Sequence, residues 1–256
     1  MERMKMDKRG QLTAFIILGI LVLAVIILVF YMRGQFFFGP VTSSNLANRI
    51  VPIREHITGC VQEVSPEPIE RIGMQGGHLK TGDDTYRNRE GIPISYLCYN
   101  IEGQPQCYNR MLLISEMEKE LNDAIKKGLA TCVNVNQYKK GFDMQTGSME
   151  VETDIGDENI VVTVKYPITL IKGDAKITED MFSVNFNYPL GRLYDVSQDI
   201  IDMHTEFGGF DQLSYMLDHR GQYLIEVKKP YPDTQYILQA KDKPYLFQFF
   251  IQGEPA

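Results

Sequence analysis

Four cysteines are the residues of this sequence best suited to covalent chemistry: Cys60, Cys98, Cys107 and Cys132. In an oxidising compartment an even number of cysteines favours disulfides. A zinc site would need four ligands, and the sequence has no Cys-x-x-Cys pair, so we expect two disulfides rather than zinc. The spacing of Cys98 and Cys107 suits a bridge that closes a short loop, which would leave Cys60 and Cys132 to connect two helices. Four cysteines allow three pairings, and the sequence does not choose among them.

One cluster combines residue types that ligate metals, namely Asp202, His204 and Glu206. On a helix, residues two positions apart point about 200° apart, so these three side chains would not face one ion. The sequence also lacks the motifs of serine hydrolases, zinc proteases, P-loop proteins and EF-hands. We therefore predict no catalytic, cofactor-binding or metal-binding residue, and no enzyme activity.

A long apolar run near the N-terminus predicts a membrane helix. Leu12–Met32 contains 21 residues without a charge, which is about 30 Å at helical rise and enough to cross the hydrocarbon. Four basic residues precede it: Arg3, Lys5, Lys8 and Arg9. Because positive residues stay on the cytoplasmic side, we expect a single-pass plasma-membrane protein with its N-terminus in the cytoplasm and its C-terminal domain outside.

These patterns divide the chain into four regions. They are a cytoplasmic basic segment over 1–11, a transmembrane helix over 12–32, a juxtamembrane linker over 33–44 and an extracytoplasmic domain over 45–256. A sub-boundary near 134–148 is an alternative within that domain. Beyond residue 33 the sequence carries 21 basic and 31 acidic residues, and a surface that acidic repels the nucleic-acid backbone. The expected partners are the lipid bilayer and proteins, not nucleic acid.

Helical periodicity predicts three main helices in the domain. The first runs from Asn45 with apolar positions three to four apart, and Pro52 should kink or split it. The second starts at a capping box, Ser115 to Glu118, and ends at Cys132. The third starts at Pro189 and ends at Gly208-Gly209, and Asp211 should cap a short helix after it.

Alternating and β-rich segments predict the strands, and His78 to Gly91 is expected to be a loop. The predicted strands are Ile92–Asn100, Gln106–Leu113, Met149–Thr153, Ile160–Leu170, Met181–Asn187, Tyr223–Lys228, Gln235–Gln239 and Tyr245–Gln252. Helices and antiparallel-type strands alternate without regular βαβ units. We therefore predict an α+β fold: one N-terminal transmembrane helix followed by a mixed helix and antiparallel-sheet extracytoplasmic domain.

The residues directly before the apolar run, Lys8-Arg9-Gly10-Gln11, resemble the class III signal peptide of archaeal type IV pilins and archaellins. The resemblance implies cleavage between Gly10 and Gln11 on the cytoplasmic side, with the hydrophobic helix retained. It covers about the first 30 residues. The fifth residue of the mature chain would be Phe15, where bacterial pilins have Glu. The competing interpretation is that Lys8 and Arg9 only orient the helix.

The rest of the chain resembles a set of uncharacterised archaeal single-pass membrane proteins. These share such an N-terminus, a helix bearing Cys60, the step Ile72-Gly73-Met74-Gln75-Gly76-Gly77 and a later helix that ends in Cys132. That resemblance implies no particular activity.

Two hypotheses of function follow. The first is a membrane-anchored cell-surface interaction or structural protein, of which a pilin-like subunit is one form. The alternative is a membrane-tethered extracytoplasmic enzyme or ligand-binding module whose site is scattered in the sequence.

Overall fold

The computed structural model describes residues 17–29, 43–80, 82, 85–100 and 107–253. Residues 17–29 form helix α1, and every residue of it is exposed. Within the described ranges no helix combines the length and the apolar character that crossing a bilayer requires. The two ends of the predicted membrane segment, and the predicted cytoplasmic segment with Lys8, Arg9, Gly10 and Gln11, lie outside the described residues.

The first helix of the domain is α2, Ser43–Val64. Its buried side chains follow the predicted spacing: Leu46, Ile50, Ile53, Ile57 and Val61. The prediction that Pro52 splits this helix is wrong, because α2 continues through it. Pro52 and Asn48 both lie on the exposed side, where water can bind the Asn48 carbonyl that lacks its helical partner.

A short helix α3, Pro66–Met74, follows directly, and helix α4 spans Ile114–Cys132. The apolar face predicted for α4 is buried: Met117, Leu121, Ile125 and Leu129. The predicted capping box is wrong. The N-cap is Leu113, without a side-chain cap, and the Glu118 carboxylate instead accepts a hydrogen bond of 3.0 Å from the backbone N–H of Ile155.

Six strands form sheet I. They are β1 (Tyr86–Arg89), β2 (Ile92–Tyr99), β3 (Tyr108–Asn109), β8 (Tyr223–Lys228), β9 (Thr234–Ala240) and β10 (Leu246–Ile251). The order is β1-β2-β10-β9-β8, with β3 also paired to β2. Three features differ from the prediction. Strand β1 lies within the segment predicted to be a loop. Strand β3 covers only Tyr108–Asn109 of the strand predicted over Gln106–Leu113. Strand β10 runs parallel to β2, whereas the other pairs are antiparallel.

Sheet II is an antiparallel sheet of four strands: β4 (Asp143–Thr146), β5 (Glu150–Ile155), β6 (Ile160–Lys172) and β7 (Ala175–Phe186). Strand β7 pairs along one edge of β6, and β5 and β4 share the other edge. The register shifts between Lys165 and Ile168, around Pro167, but the strand continues. Strand β4 was not predicted, and it lies in the range where a sub-boundary was considered.

Two further α-helices, α5 (Leu190–Phe207) and α6 (Gln212–Asp218), follow sheet II, and a short 3₁₀ helix precedes it at Val135–Tyr138. The end of α5 is confirmed, since Gly208 takes a left-handed conformation with φ of 71°. The cap on α6 is confirmed too, because the Asp211 carboxylate accepts from the N–H groups of Leu213 and Ser214.

One core joins these layers. Helix α2 packs on β7, α4 on β5, α3 on β10, and α5 across β2, β9 and β10. Three aromatic side chains of β9 and β10 are buried in this core: Tyr236, Phe247 and Phe249. Phe250 is also buried, but it contacts Tyr96 and Arg87 instead. Sheet packing therefore explains these aromatic residues, and the predicted α+β class is confirmed.

Both predicted disulfides are present. Cys60–Cys132 joins α2 to the end of α4, with an S–S distance of 2.04 Å and a Cα–Cα distance of 5.8 Å. Cys98–Cys107 joins β2 to the residue before β3. The first bridge spans 72 positions of sequence and fastens two helices that both pack on sheet II.

Candidate functional site

The candidate functional site is an apolar groove between α6 and β8. It has a volume of about 680 Å³. Its apolar walls include three leucines that are largely exposed: Leu213 (63%), Leu217 (78%) and Leu224 (57%). Burying a leucine side chain stabilises a protein by about 1.5–3 kcal/mol, so three exposed leucines side by side favour contact with another apolar surface.

The local sequence explains why these leucines point outward. Leu213 and Leu217 are four residues apart, so they share one face of α6. The opposite face is held by Tyr215, which is buried and donates a 2.7 Å hydrogen bond to the Asp199 carboxylate on α5. The His219 ring stacks on Tyr215 at 4.0 Å between centroids. The groove therefore has a fixed wall.

The charge of the groove is one-sided. In the described part of the chain, its charged lining residues are Arg220 and Lys241, without a carboxylate. The whole chain has a net charge of −7. A cationic rim on an acidic protein favours a partner that presents carboxylates beside apolar side chains.

A second cavity, of about 880 Å³, adjoins the groove, because Leu213 lines both. It lies over Tyr236 and His204 and includes Phe207, which is 77% exposed. Met203 and Phe207 continue the helical spacing of the apolar residues of α5, but both are exposed, because this last turn extends past the edge of the core.

The predicted metal-type residues on α5 do not converge. His204 Nε2 lies 2.8 Å from the hydroxyl of Tyr236, whereas Asp202 and Glu206 are exposed. Burial lowers the pKa of His204 and raises the pKa of Tyr236 to about 12. Both groups are therefore neutral near pH 7. In the described part of the chain, no three His, Cys, Asp or Glu residues are placed to hold a metal.

A buried polar cluster lies on sheet I around Asp233, which is 4% exposed. Its carboxylate forms an ion pair with Arg87 and accepts hydrogen bonds from the Tyr96 hydroxyl (2.7 Å) and the Gly253 N–H (3.0 Å). The guanidinium of Arg87 also lies 5.6 Å from the ring centroid of Phe250. Since every charge here has a partner within the protein, the cluster serves to hold the sheet together.

Another cavity, of about 530 Å³, lies beside the start of α2. We call this cavity the basic pocket. Its lining consists of Leu46, Asn48, Arg49, Pro52, Lys140, Gly141, Phe142 and Lys172. The three cations come from α2, from the segment before β4 and from the end of β6. No pattern in the sequence indicated this pocket, because its cations lie far apart in the chain.

The four cysteines predicted to form disulfides do so, and none of them lines the groove or the basic pocket. Comparisons of the chain with protein-family models, with curated proteins and with solved structures found no match. Geometry and chemistry alone therefore support the functional interpretation.

Proposed function

We propose that this chain is a membrane-anchored, extracytoplasmic interaction protein that joins a larger protein assembly through the α6–β8 groove. The observation that carries the proposal is the groove itself. Three exposed leucines and two cations line one side of a helix whose other side is fixed to the core. The partner is a protein segment that presents apolar side chains next to carboxylates.

The sequence and the disulfides support the anchored, extracytoplasmic part of the proposal. The apolar run Leu12–Met32 is long enough to span a bilayer, and its described part is helical with every residue exposed. Lipid is the solvent that suits such a helix. Disulfides persist in oxidising compartments, and both described bridges lie in the region predicted to be outside the cell.

The assembly is tested by the size of the protein extracted from native membranes in mild detergent. We expect the wild-type chain to elute as a particle that contains more protein than one 29.3 kDa chain. The L213D/L217D variant should elute as a single chain, because carboxylates in the groove are repelled by the carboxylates of the partner. Both positions are exposed, so the fold should persist.

Leu113→Asp is the matched control, because Leu113 is 66% exposed and lies at the N-cap of α4, where Asp is favoured. It should leave the assembly intact. Wild-type protein that elutes as a single chain, or an assembly that L213D/L217D leaves unchanged, would overturn the proposed role of the groove.

The pilin-like form of the proposal concerns residues outside the described ranges. If Lys8-Arg9-Gly10-Gln11 is a class III processing site, protein isolated from native membranes begins at Gln11. Peptide mass spectrometry of the N-terminus decides this. A chain that begins at Met1 is a plain signal-anchored surface protein, and the pilin-like form is then discarded.

The second candidate, a tethered ligand-binding module, is favoured by one specific observation. Among the described residues, the basic pocket is lined by three cations and no carboxylate, on a protein that is acidic overall.

A further inference from the structure

We propose that the basic pocket binds the phosphate headgroup of an anionic membrane lipid. The inference rests on the membrane anchoring proposed above, because the tether determines which ligands the pocket meets. It is independent of the α6–β8 groove.

The electrostatics of the pocket favour an anion. Arg49, Lys140 and Lys172 line one cavity, and none of them forms an ion pair with another described residue. Like charges brought together repel one another. A bound anion relieves this repulsion, so the pocket gains more from a phosphate than separate surface lysines would.

The three cations are held by different elements. Arg49 lies almost two turns into α2, Lys172 ends β6, and Lys140 lies between the 3₁₀ helix and β4. Helix α2 contacts β6, and β4, which begins three residues after Lys140, pairs with the end of β6. These contacts hold the three elements next to one another. Only the long side chains must be ordered on binding, which limits the entropic cost.

The uncharged part of the lining favours a lipid over a bare anion. Leu46, Pro52 and Phe142 supply apolar surface, and Asn48 supplies an amide donor. A volume of about 530 Å³ lies in the range of small-molecule sites and exceeds what a phosphate alone would fill. The phosphate of a lipid headgroup can contact the cations of the pocket. Its glycerol and first methylenes can contact the apolar residues, so the lipid contacts the whole lining.

The position of the pocket in the chain limits its distance from the proposed membrane anchor. The pocket uses residues from the first three turns of α2, which is the first described element after α1. Residues 30–42 connect the two helices, and covalent geometry limits their span to about 45 Å. Basic groups close to an anionic bilayer surface gain about 1 kcal/mol each.

The other cavities do not share this chemistry. The α6–β8 groove has cations but is mainly apolar. A cavity of about 620 Å³ beside α3 is lined by Glu63, Glu67 and Glu70 with Arg71, a set that repels phosphate. The proposal is therefore specific to one site.

The test is a titration of the full-length chain in nonionic detergent. The probes are dihexanoyl phosphatidylglycerol, which is anionic, dihexanoyl phosphatidylcholine, which is zwitterionic, and inorganic phosphate. We expect the phosphatidylglycerol to bind most tightly. The K140Q/K172Q variant should weaken its binding roughly 10- to 30-fold, since two cations near the phosphate are lost.

K126Q/K127Q is the matched control, because it removes two exposed lysines of α4 that do not line the pocket. It should bind phosphatidylglycerol like the wild type. The proposal is overturned if K140Q/K172Q binds like the wild type or if both variants weaken binding equally. It is also overturned if inorganic phosphate binds as tightly as the lipid, which would indicate a small-anion site.

Separate measurements distinguish failure of this inference from failure of the proposed function. Extraction of native membranes with alkaline carbonate tests anchoring, and release of the wild-type chain would overturn the anchor. The size of the detergent-extracted particle tests the groove, and K140Q/K172Q should leave that size unchanged. The lipid titration alone decides the pocket.

Discussion

At the scale of single residues, Asp233 shows what a buried charge requires. A carboxylate removed from water is costly unless partners replace the lost hydration. Here the partners come from three places: Arg87 on β1, Tyr96 on β2 and the backbone of Gly253. Asp233, which directly precedes β9, thereby connects β1, at the edge of sheet I, to the segment after β10.

Asp233→Ala should destabilise the protein by about 3–5 kcal/mol, because it leaves Arg87 without its counter-ion and Tyr96 without its acceptor. Urea unfolding followed by circular dichroism measures the change. Asp180→Ala, at an exposed position of β7, should change stability by less than about 0.5 kcal/mol. Equal effects of the two substitutions would show that the cluster does not stabilise the sheet.

His204 makes stability depend on pH. Burial lowers its pKa below 6.5, whereas the unfolded chain takes up a proton near that pH. Below pH 6.5 the unfolded state therefore binds more protons, and the free energy of unfolding falls as the pH drops from 6.5 to the pKa of the folded state. Urea unfolding at pH 7 and pH 5 should show this loss.

His204→Gln should reduce that loss, because glutamine does not titrate and can still hydrogen-bond to the Tyr236 hydroxyl. A smaller pH dependence should remain, since burial also lowers the pKa of His78. If the variant and the wild type lose equal stability between pH 7 and pH 5, His204 is not the source.

At the scale of elements, the close contact of Gly73 on α3 with Tyr245 and Leu246 determines how α3 packs against the start of β10. A Cβ added at Gly73 would lie 2.6 Å from the Tyr245 hydroxyl and would also collide with the Leu246 carbonyl. The Tyr245 hydroxyl is itself committed, since it donates a 2.8 Å hydrogen bond to the Ile69 carbonyl. The helix can be this close only because residue 73 has no side chain.

Gly73→Ala should therefore destabilise the protein by about 1–3 kcal/mol through overpacking. The matched variant is Gly59→Ala in α2, where an added Cβ meets nothing within 4 Å. It should stabilise the helix by up to about 1 kcal/mol. Thermal unfolding of both variants gives the comparison, and a shift of the same sign in both would refute the role of the contact.

The two disulfides should contribute unequally. Chain-entropy estimates give about 4 kcal/mol for Cys60–Cys132, with 72 positions between its cysteines, and about 2.5 kcal/mol for Cys98–Cys107, with nine. The C60A/C132A variant should thus lose more stability than C98A/C107A in chemical denaturation. Alkylation of the unreduced protein should label neither pair. Labelling of all four thiols would show that the bridges do not form.

At the scale of the whole molecule, the distribution of charge should set the orientation in the membrane. Arg3, Lys5, Lys8 and Arg9 precede the apolar segment, and the domain beyond it is acidic. In the proposed anchored form these residues retain the N-terminus in the cytoplasm, so changing all four to Glu should scramble the topology. Protease digestion of spheroplasts measures how much of the domain is exposed, and unchanged digestion would contradict the charge argument.

How far sequence alone predicts this structure depends on the range of the interactions involved. The helical face of α2, the cap at Asp211 and strand β8 follow from spacing within a few residues, and all three were predicted. The capping box failed because Glu118 bonds instead to Ile155, a partner that only tertiary packing provides. Strand β1 was missed because its polar sequence carries no apolar alternation, and its position is set by pairing with β2.

The candidate site was less predictable than the fold for the same reason. The four-residue spacing of Leu213 and Leu217 puts both on one face of α6, but it does not determine which face of the helix remains open. The hydrogen bond from the Tyr215 hydroxyl to the Asp199 carboxylate decides which face of α6 packs on the core and which face is open. The basic pocket joins residues from α2, from the segment before β4 and from β6, which no local pattern connects.

The parallel pairing of β10 with β2 has a consequence for biosynthesis. Strand β2 ends at Tyr99, but the neighbour that fills its inner edge begins only at Leu246. A chain emerging from a ribosome or a translocation channel therefore carries β2 with an unsatisfied edge until nearly all of the domain has been made. During that interval the open edge can pair wrongly with another strand. Sheet I therefore cannot close before Leu246–Ile251 has been synthesised.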